Sequence, residues 1–556
     1  MGKRTKTAKK ERARVKSKLP TVWAWMVLAI ILLFVAAIRV RLLSIPLERD
    51  EGEYAYAGQL ILQGIPPYRM AYNMKLPGTY YAYALVMAIF GQSVAGIHLG
   101  LLLLNLGAIV LLFLIGRRLF DSSVGLFAAA AYGLMTTGQS TLGTQAHATH
   151  FVILPALGGI LSAIKAAESR RLNGVLWSGV LLGIAFTMKQ QAAFLVLFAL
   201  LYLVWVDLRQ RPIRPASITA RATLFAGSAA LPFLGVCIVM YAAGVFDRFW
   251  FWAIQYARQY VSVIPLKLGA KIFFQSIKAM IIPNYMLWIL AALGLALVWI
   301  DAKSRRHGVF ATGFFIFGFL TICPGFYFRP HYYVTWMPAL ALLIGVAVSA
   351  GRNLLQSSPS FQSLAHAPAV VFLIALLVAL NAQAEFLFSA PVSTASRMMY
   401  GDSPWSETQE IAKYIRERTT PADTIAVVGS EPQIYFYSDR KSATGYIYTY
   451  PLMEPQQFAR QMQIEMKNEI ESMQPKYVVF VAMSQSWARR PASDATIIDW
   501  ATAYCKSHYN LAGFVQTRLG ERRTYSDYHT DYVWGDEVNS RKPDPRHECL
   551  YVFVRK

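Results

Sequence analysis

VWAWMVLAIILLFVAAIRV, residues 22–40, is an apolar run interrupted only by an arginine near its end. A helix rises about 1.5 Å per residue, so about twenty apolar residues cross the roughly 30 Å hydrocarbon core of a bilayer. The stretch before it, KRTKTAKKERARVKSK at 3–18, has the charge of a secretory signal's start, but no small-residue cleavage site follows the apolar run. It reads as a retained first membrane helix behind a basic tail, residues 1–20.

Working outward, further apolar windows lie near 94–115, 122–138, 147–165, 174–188, 191–206, 221–243, 284–300, 309–325, 333–350 and 367–386. With the first run they predict a polytopic α-helical membrane protein of about eleven spans, the domain extending over 21–388. Composition agrees. Of 556 residues 55% are hydrophobic and 15% charged, against about 25% charged in soluble domains. The net charge of +23 raises the prospect of nucleic-acid binding, but the basic residues sit in short runs between membrane-length apolar stretches. Arg117–Arg118, Arg170–Arg171, the DLRQRPIR run from Asp207, Lys303–Arg305–Arg306 and Arg352 fall on alternate connections, the side of the basic tail. The positive-inside rule then places the N-terminus in the cytoplasm, and an odd number of spans places the C-terminus outside.

Two outer connections are long, 41–93 and 246–285. In the second, DRFWFWAIQYARQY has apolar residues at helical spacing with Arg248 and Arg258 between them, as an interfacial amphipathic helix or a plain surface anchor would. Beyond 389 the pattern changes. Helix-like WSETQEIAKYIRER precedes strand-like TIAVVG, IYFY, YVVFV and YVFV, which predicts an extracytoplasmic α/β domain over 389–556. Cys505 and Cys549 lie in that region and would be free to form a disulfide outside the cytoplasm; Cys237 and Cys323 lie in predicted helices. There is no internal repeat, no G-x-x-x-x-G-K-[ST], no H-E-x-x-H and no C-x-x-C, which speaks against nucleotide hydrolysis and a standard zinc site.

Chemistry concentrates in LERDEGEYAYAGQLILQGIPPY, residues 47–68, directly after the first span. Glu48, Arg49, Asp50, Glu51 and Glu53 crowd the outer membrane face, where charge is costly unless solvated, paired or used. A solvated helix start with Asp50 as N-cap would account for them. Downstream, YNMKLPGTYYAYA at 72–84 sets Lys75 in an aromatic surround, where a lone lysine reads equally as a snorkelling interface residue. Together a carboxylate and a lysine at one membrane face suit proton removal from a hydroxyl and stabilisation of a departing phosphate.

The order of first span, D-E-x-x-Y from Asp50, Q-G-x-x-P-Y from Gln63, K-x-P at Lys75 with its aromatic run, F-G, and a second span ending G-R-R-L-F resembles the GT-C membrane glycosyltransferases. Within them it is most similar to glycosyltransferase family 39, the protein O-mannosyltransferase-like group that includes bacterial aminoarabinose lipid A transferases. The resemblance covers roughly 20–210 and continues more weakly through FRPHYYVTWMPAL at 328–340; the C-terminal domain adds little. It implies a sugar donor on polyprenyl phosphate and an acceptor, lipid, glycan or protein, at the outer face of a bacterial plasma membrane. By motif position it implies Asp50 as catalytic base, Glu51 as its acidic neighbour, and Lys75 on the donor phosphate. Tyr54, Tyr72 and Tyr80 would line the cavity, with Arg329 and His331 as polar cavity residues. Lys189 would be a second phosphate ligand or a polar cap on a helical hairpin.

The chain departs from that pattern in two places. K-P-P is Lys75-Leu76-Pro77 here, and GTQAHATHF carries His147 and His150 where many relatives have an acid. Histidines at i, i+3 share a helix face, yet two ligands make a weak metal site, so they read as helix-start or polar cavity residues. A monophosphate leaving group held by cations needs a metal less than a diphosphate does, and no obligatory metal or other cofactor is expected. Two rival readings are a transporter or lipid-linked sugar flippase, which would run its substrate past intramembrane charges, and a non-catalytic envelope scaffold or sensor working through its C-terminal domain.

Overall fold

The first apolar run forms the helix Val22–Arg41. Trp23, Met26, Ile30 and Leu33 project from it and are exposed among the described residues, which is stable in lipid and not in water. The computed structural model describes residues 22–521 and 524–556; the expected basic tail, 1–20, lies outside them. Every apolar window of the sequence holds a helix. Among the described residues, eight helical stretches are long and apolar enough to cross a membrane, and Ser122–Met135 and Leu172–Met188 are shorter apolar helices. The chain is a multi-pass integral membrane protein.

The long connection after the first helix is not irregular. It folds into the helices Arg49–Leu62 and Gly78–Phe90 joined by an extended segment. Arg41 fixes where it begins, its guanidinium donating to the carbonyls of Leu387 (2.8 Å) and Ala390 (2.7 Å) at the far end of the bundle. Those carbonyls belong to and follow a π-helical turn, Glu385–Ser389, that leads out of the last apolar helix, Ala367–Ala382.

C-terminal to that turn lies an α/β domain on a six-stranded sheet. Its strands are β1 (Thr424–Val428), β2 (Lys441–Ser442), β3 (Tyr477–Ala482), β4 (Tyr509–Leu519), β5 (Tyr528–Trp534) and β6 (Cys549–Arg555), in the order β2-β1-β3-β6-β4-β5. β1 pairs in parallel with β2 and β3, while the other pairs are antiparallel. TIAVVG, YVVFV and YVFV are strands as expected, but IYFY lies in the helix Gln433–Ser438, which follows Pro432. A fully buried apolar run of that length fits helix and strand alike. Cys505, on the helix Thr496–His508, and Cys549, on β6, are both buried free thiols packed in separate apolar clusters. The expected disulfide is not formed; each thiol serves as a small hydrophobe.

This domain sits on the 41–93 connection. Gly52 touches the Gln433–Ser438 helix so closely that a Cβ there would lie 2.6 Å from the Gln433 nitrogen. The Tyr72 amide donates to the Gly445 carbonyl at 2.7 Å, and the Tyr56 hydroxyl accepts from the Ser442 amide at 2.8 Å. Loop and domain therefore share one face of the bundle. The aromatic stretch at 247–260 is helical, with a π turn at Phe251–Tyr256. It is more than a membrane-surface anchor, because Trp252 packs on Tyr446 and the Tyr256 hydroxyl donates to Glu454 at 2.5 Å.

Candidate active site

Three carboxylates open the helix Arg49–Leu62, and its geometry gives each a different task. Glu48 is the N-cap: its carboxylate accepts from the Glu51 amide at 2.9 Å, and Glu51 reaches back to the Glu48 amide at 3.3 Å, a capping box. Asp50 is thereby spared the capping task that the sequence allowed it. Its Oδ1 takes a hydrogen bond from Lys75 Nζ at 2.9 Å, and the Tyr448 hydroxyl stands 3.4 Å away. Lys75 also donates to Glu53 at 2.7 Å and lies over the Tyr54 ring, 4.5 Å from its centroid. Asn73 and Tyr80 hold Glu53 in turn, each at 2.6 Å. One lysine is thus clasped by two carboxylates one helical turn apart.

Asp50 and Lys75 border a cavity of about 700 Å³. Lys189, Arg329, His147 and His331 face it from the membrane bundle, and Tyr448, Tyr450 and Glu454 from the C-terminal domain. Lys189 Nζ lies 3.8 Å from the centroid of the Tyr332 ring and Arg329 is 5.7 Å from that of Tyr327. Among the described residues neither cation has a carboxylate within ion-pair distance. The His147 and His331 rings stack, centroids 3.9 Å apart and 15° from parallel.

Charge in this pocket is set by burial against neighbours. Burial alone would neutralise Asp50, but Lys75, then His147 and Arg329, outweigh it and hold the carboxyl well below the usual range. Lys75 is the converse: burial opposes its charge, and Asp50 and Glu53 more than restore it. Lys189 is pulled down to about 7 by burial, with Asp50 opposing and Lys75 and Arg329 assisting. Burial likewise lowers His147 to about 4 and raises Glu48 well above the carboxylate range, the latter with help from Asp50 and Glu51.

The structure gathers Asp50, Tyr54, Lys75, His147, Lys189, Arg329 and His331 around one space. Other sequence candidates fall elsewhere. Glu51 is wholly buried and does not border the cavity; it binds His98 at 3.0 Å and the Ala146 amide at 2.5 Å, so it braces the fold instead of pairing with a base. Tyr72 is a contact between bundle and domain, its hydroxyl donating to Glu469 at 3.1 Å. Tyr80 stands behind Glu53. His150 is buried inside the helix Ala148–Ser169, away from the cavity. The sequence reading gave Glu53 no role beside Asp50 and Lys75 beyond that of a reserve candidate for the base, and missed Tyr448. Glu53 was visible in principle, because Asp50 and Glu53 are three apart and share a helix face, whereas Glu51 points about 100° away. For Tyr448, 398 residues from Asp50, no local signal exists.

Similarity to known proteins follows the same geometry. Residues 75–235 match the family model described as dolichyl-phosphate-mannose-protein mannosyltransferase. A second model, the C-terminal domain of the competence-induced protein Ccs4, matches 405–490. Of solved structures, ArnT from Cupriavidus metallidurans bound to undecaprenyl phosphate superposes with a TM-score of 0.55, at 15% identity, over 96% of this chain and 98% of that one. This is the GT-C fold. The resemblance to glycosyltransferase family 39 stands with it. The archaeal oligosaccharyltransferase AglB from Archaeoglobus fulgidus, in complex with an inhibitory peptide and a dolichol-phosphate, aligns with a TM-score of 0.50 at 12% identity, over 94% of this chain and 75% of that one. In sequence, the undecaprenyl phosphate-alpha-4-amino-4-deoxy-L-arabinose arabinosyl transferase of Pseudomonas aeruginosa (strain UCBPP-PA14) is 29% identical over 195 residues, 33% of this chain. The chain spans about a third of the length of the curated relatives it matches, 35% of that one. The match to the mannosyltransferase model begins at Lys75 and includes Lys189, so both cavity lysines fall within it.

Proposed function

We propose that the chain is an inverting glycosyltransferase that moves a sugar from a polyprenyl-phosphate donor to an acceptor hydroxyl at the outer face of the membrane. One observation carries the reading: Asp50 and Lys75, paired at 2.9 Å, border a cavity that also holds two cations with no carboxylate partner among the described residues, Lys189 and Arg329. A carboxylate beside an anion-binding cluster is the arrangement that single displacement at an anomeric carbon requires. The acceptor oxygen attacks as its proton passes to Asp50, and the polyprenyl phosphate departs toward the cations.

Lys75 has a conditional part in this scheme. Clasped by Asp50 and Glu53, it is neutralised until a phosphate competes for it. As it turns to the phosphate, Asp50 loses its strongest counter-charge and becomes a better proton acceptor. Glu53 keeps the ammonium within reach throughout. Arg329 supplies standing positive charge for the donor phosphate, Lys189 adds to it below about pH 7, and the acceptor enters beside Tyr448 and Tyr450. The shared face of loop and C-terminal domain supports an extracytoplasmic site, with the N-terminus in the cytoplasm.

The test is mass spectrometry of envelope glycolipids and glycans from cells with the protein, without it, and with Asp50→Asn. A sugar modification lost in both the deletion and Asp50→Asn cells supports transfer. A lipid-linked sugar that changes leaflet with no transferred product would instead identify a flippase.

A further inference from the structure

We propose that the helix Leu266–Ile281 is a docking surface for anionic phospholipid headgroups in the leaflet on the cavity side of the membrane. Its sequence, LKLGAKIFFQSIKAMI, holds three lysines and no acidic residue. At about 100° per residue, Lys267, Lys271 and Lys278 fall within roughly 40° of one another, a single stripe about 16 Å long. All three are exposed, and among the described residues none makes an ion pair or a side-chain hydrogen bond.

The opposite face fixes the direction of the stripe. A Cβ on Gly269 would lie 2.6 Å from the Phe326 Cβ, and the Ser276 hydroxyl donates to the Phe328 carbonyl at 2.6 Å. Phe273 packs edge-on against Phe328, ring centroids 5.0 Å apart, and Met280 is buried. These four positions centre roughly 170° from the lysines. The chain they rest on includes the turn Pro324–Phe326, whose Pro324 borders the main cavity, so the helix lies on that side of the membrane.

Length and side-chain chemistry place the exposed face at the membrane surface. The helical stretch Leu266–Ile300 runs 35 residues, about 52 Å where roughly 30 Å of hydrocarbon is to be crossed. Pro283, in the turn Ile282–Asn284, divides it, and the uncharged part Tyr285–Ile300 takes the hydrocarbon. The part with the lysines is left at the interface. Phe274, 69% exposed, and Ile282, 60% exposed, share their side. In water such a face would expose its apolar groups, and in mid-bilayer it would strand its ammonium groups. Between the two, the apolar side chains enter the acyl region while the lysines reach the headgroups. A headgroup of net negative charge supplies the missing counter-ion, each lysine near it being worth about fivefold in local lipid concentration. A zwitterionic headgroup carries its own cation and gains little. With the cavity extracytoplasmic, the positive-inside bias does not account for these lysines.

The experiment uses the full-length protein in phosphatidylcholine nanodiscs, with a fluorescent non-canonical residue replacing Gln275, which is exposed beside the stripe. Quencher lipids of identical acyl chains carry a nitroxide near the headgroup, on phosphatidylglycerol in one sample and phosphatidylcholine in the other. No sugar donor or acceptor is present, so the outcome is separate from the transfer reading. The phosphatidylglycerol form should quench as though enriched about fivefold or more at the helix, and about 0.5 M salt should lower that preference. Lys267→Gln, Lys271→Gln and Lys278→Gln together should bring the two quenchers level. Quenching by phosphatidylcholine should not change, since the apolar side chains still hold the helix at the surface. Arg117→Gln with Arg118→Gln, in the last turn of the helix Val94–Leu119, should leave the preference intact. Where the triple variant aggregates, Lys271→Gln alone should lower the preference at least about twofold. Equal quenching by both lipids in the unmodified protein, or a preference that survives loss of the lysines, would overturn the proposal.

Discussion

Arg49 offers a quantitative test of how the two parts of the molecule are joined. It sits beside Asp50 on the bundle, donates to the Ser430 carbonyl and to Glu431 at 2.9 Å, and stacks on Trp405, 5.1 Å from the ring centroid. Its side chain is 9% exposed and that of Glu431 0%, so Arg49→Met leaves a buried carboxylate with, among the described residues, only the Ser486 hydroxyl for a partner. Removing one member of a buried ion pair costs about 3–5 kcal/mol. Undocking the C-terminal domain returns Glu431 to water, so the penalty falls on the docked state. The undocked fraction should rise by about two to four orders of magnitude. Limited proteolysis of the purified protein reads that fraction when reclosing outpaces cleavage. Adding Glu431→Gln to Arg49→Met removes the stranded charge and should recover about 2 kcal/mol or more. If the two substitutions simply add, the reasoning about a stranded buried charge is wrong, and the domain is held by apolar contact alone.

Donor-phosphate binding should weaken as pH rises through about 7, where burial places Lys189, because its charge is lost above that pH; by pH 8 the loss is up to about tenfold. Lys189→Arg should flatten the profile, and an unchanged slope would remove Lys189 from the phosphate site. Glu51→Ala should lower thermal stability by about 3 kcal/mol or more, since it strands His98 and the Ala146 amide; a stable variant with reduced turnover would restore Glu51 to the chemistry. Cys505 and Cys549 should resist alkylation until the protein is unfolded and should show no joined peptide in non-reducing mass maps.

The membrane bundle was legible because a bilayer admits few solutions: apolar windows of the right length had to be helices, and they are. What the windows hid was the 41–93 connection, whose polar and aromatic mixture obscured two helices. IYFY misled because Ile434, Tyr435 and Phe436 are buried in succession, leaving neither period to read. Asp50 reads as the N-cap from the sequence, but the backbone geometry gives that role to Glu48, two residues earlier. The site's remote walls, Arg329, His331 and Tyr448, come together through packing over hundreds of residues. The family resemblance reached the first two, while Tyr448 lay in the domain where the resemblance was weakest. That domain supplies part of the cavity wall, so deleting 389–556 is expected to abolish activity instead of sparing it.

The central claim is that Asp50 is the base and Lys75 the conditional clamp on the leaving phosphate. The most direct measurement is turnover and donor affinity in proteoliposomes for Asp50→Asn and Lys75→Ala, compared after expression and insertion are matched. Asp50→Asn should lose about 10²–10⁴-fold in turnover with donor binding retained, the range that general-base catalysis supplies. Lys75→Ala should weaken donor binding and slow turnover together, because its charge counts most as the phosphate leaves. Near-normal turnover in Asp50→Asn would contradict the account, and Glu53, the other carboxylate on Lys75, would be the next group to test.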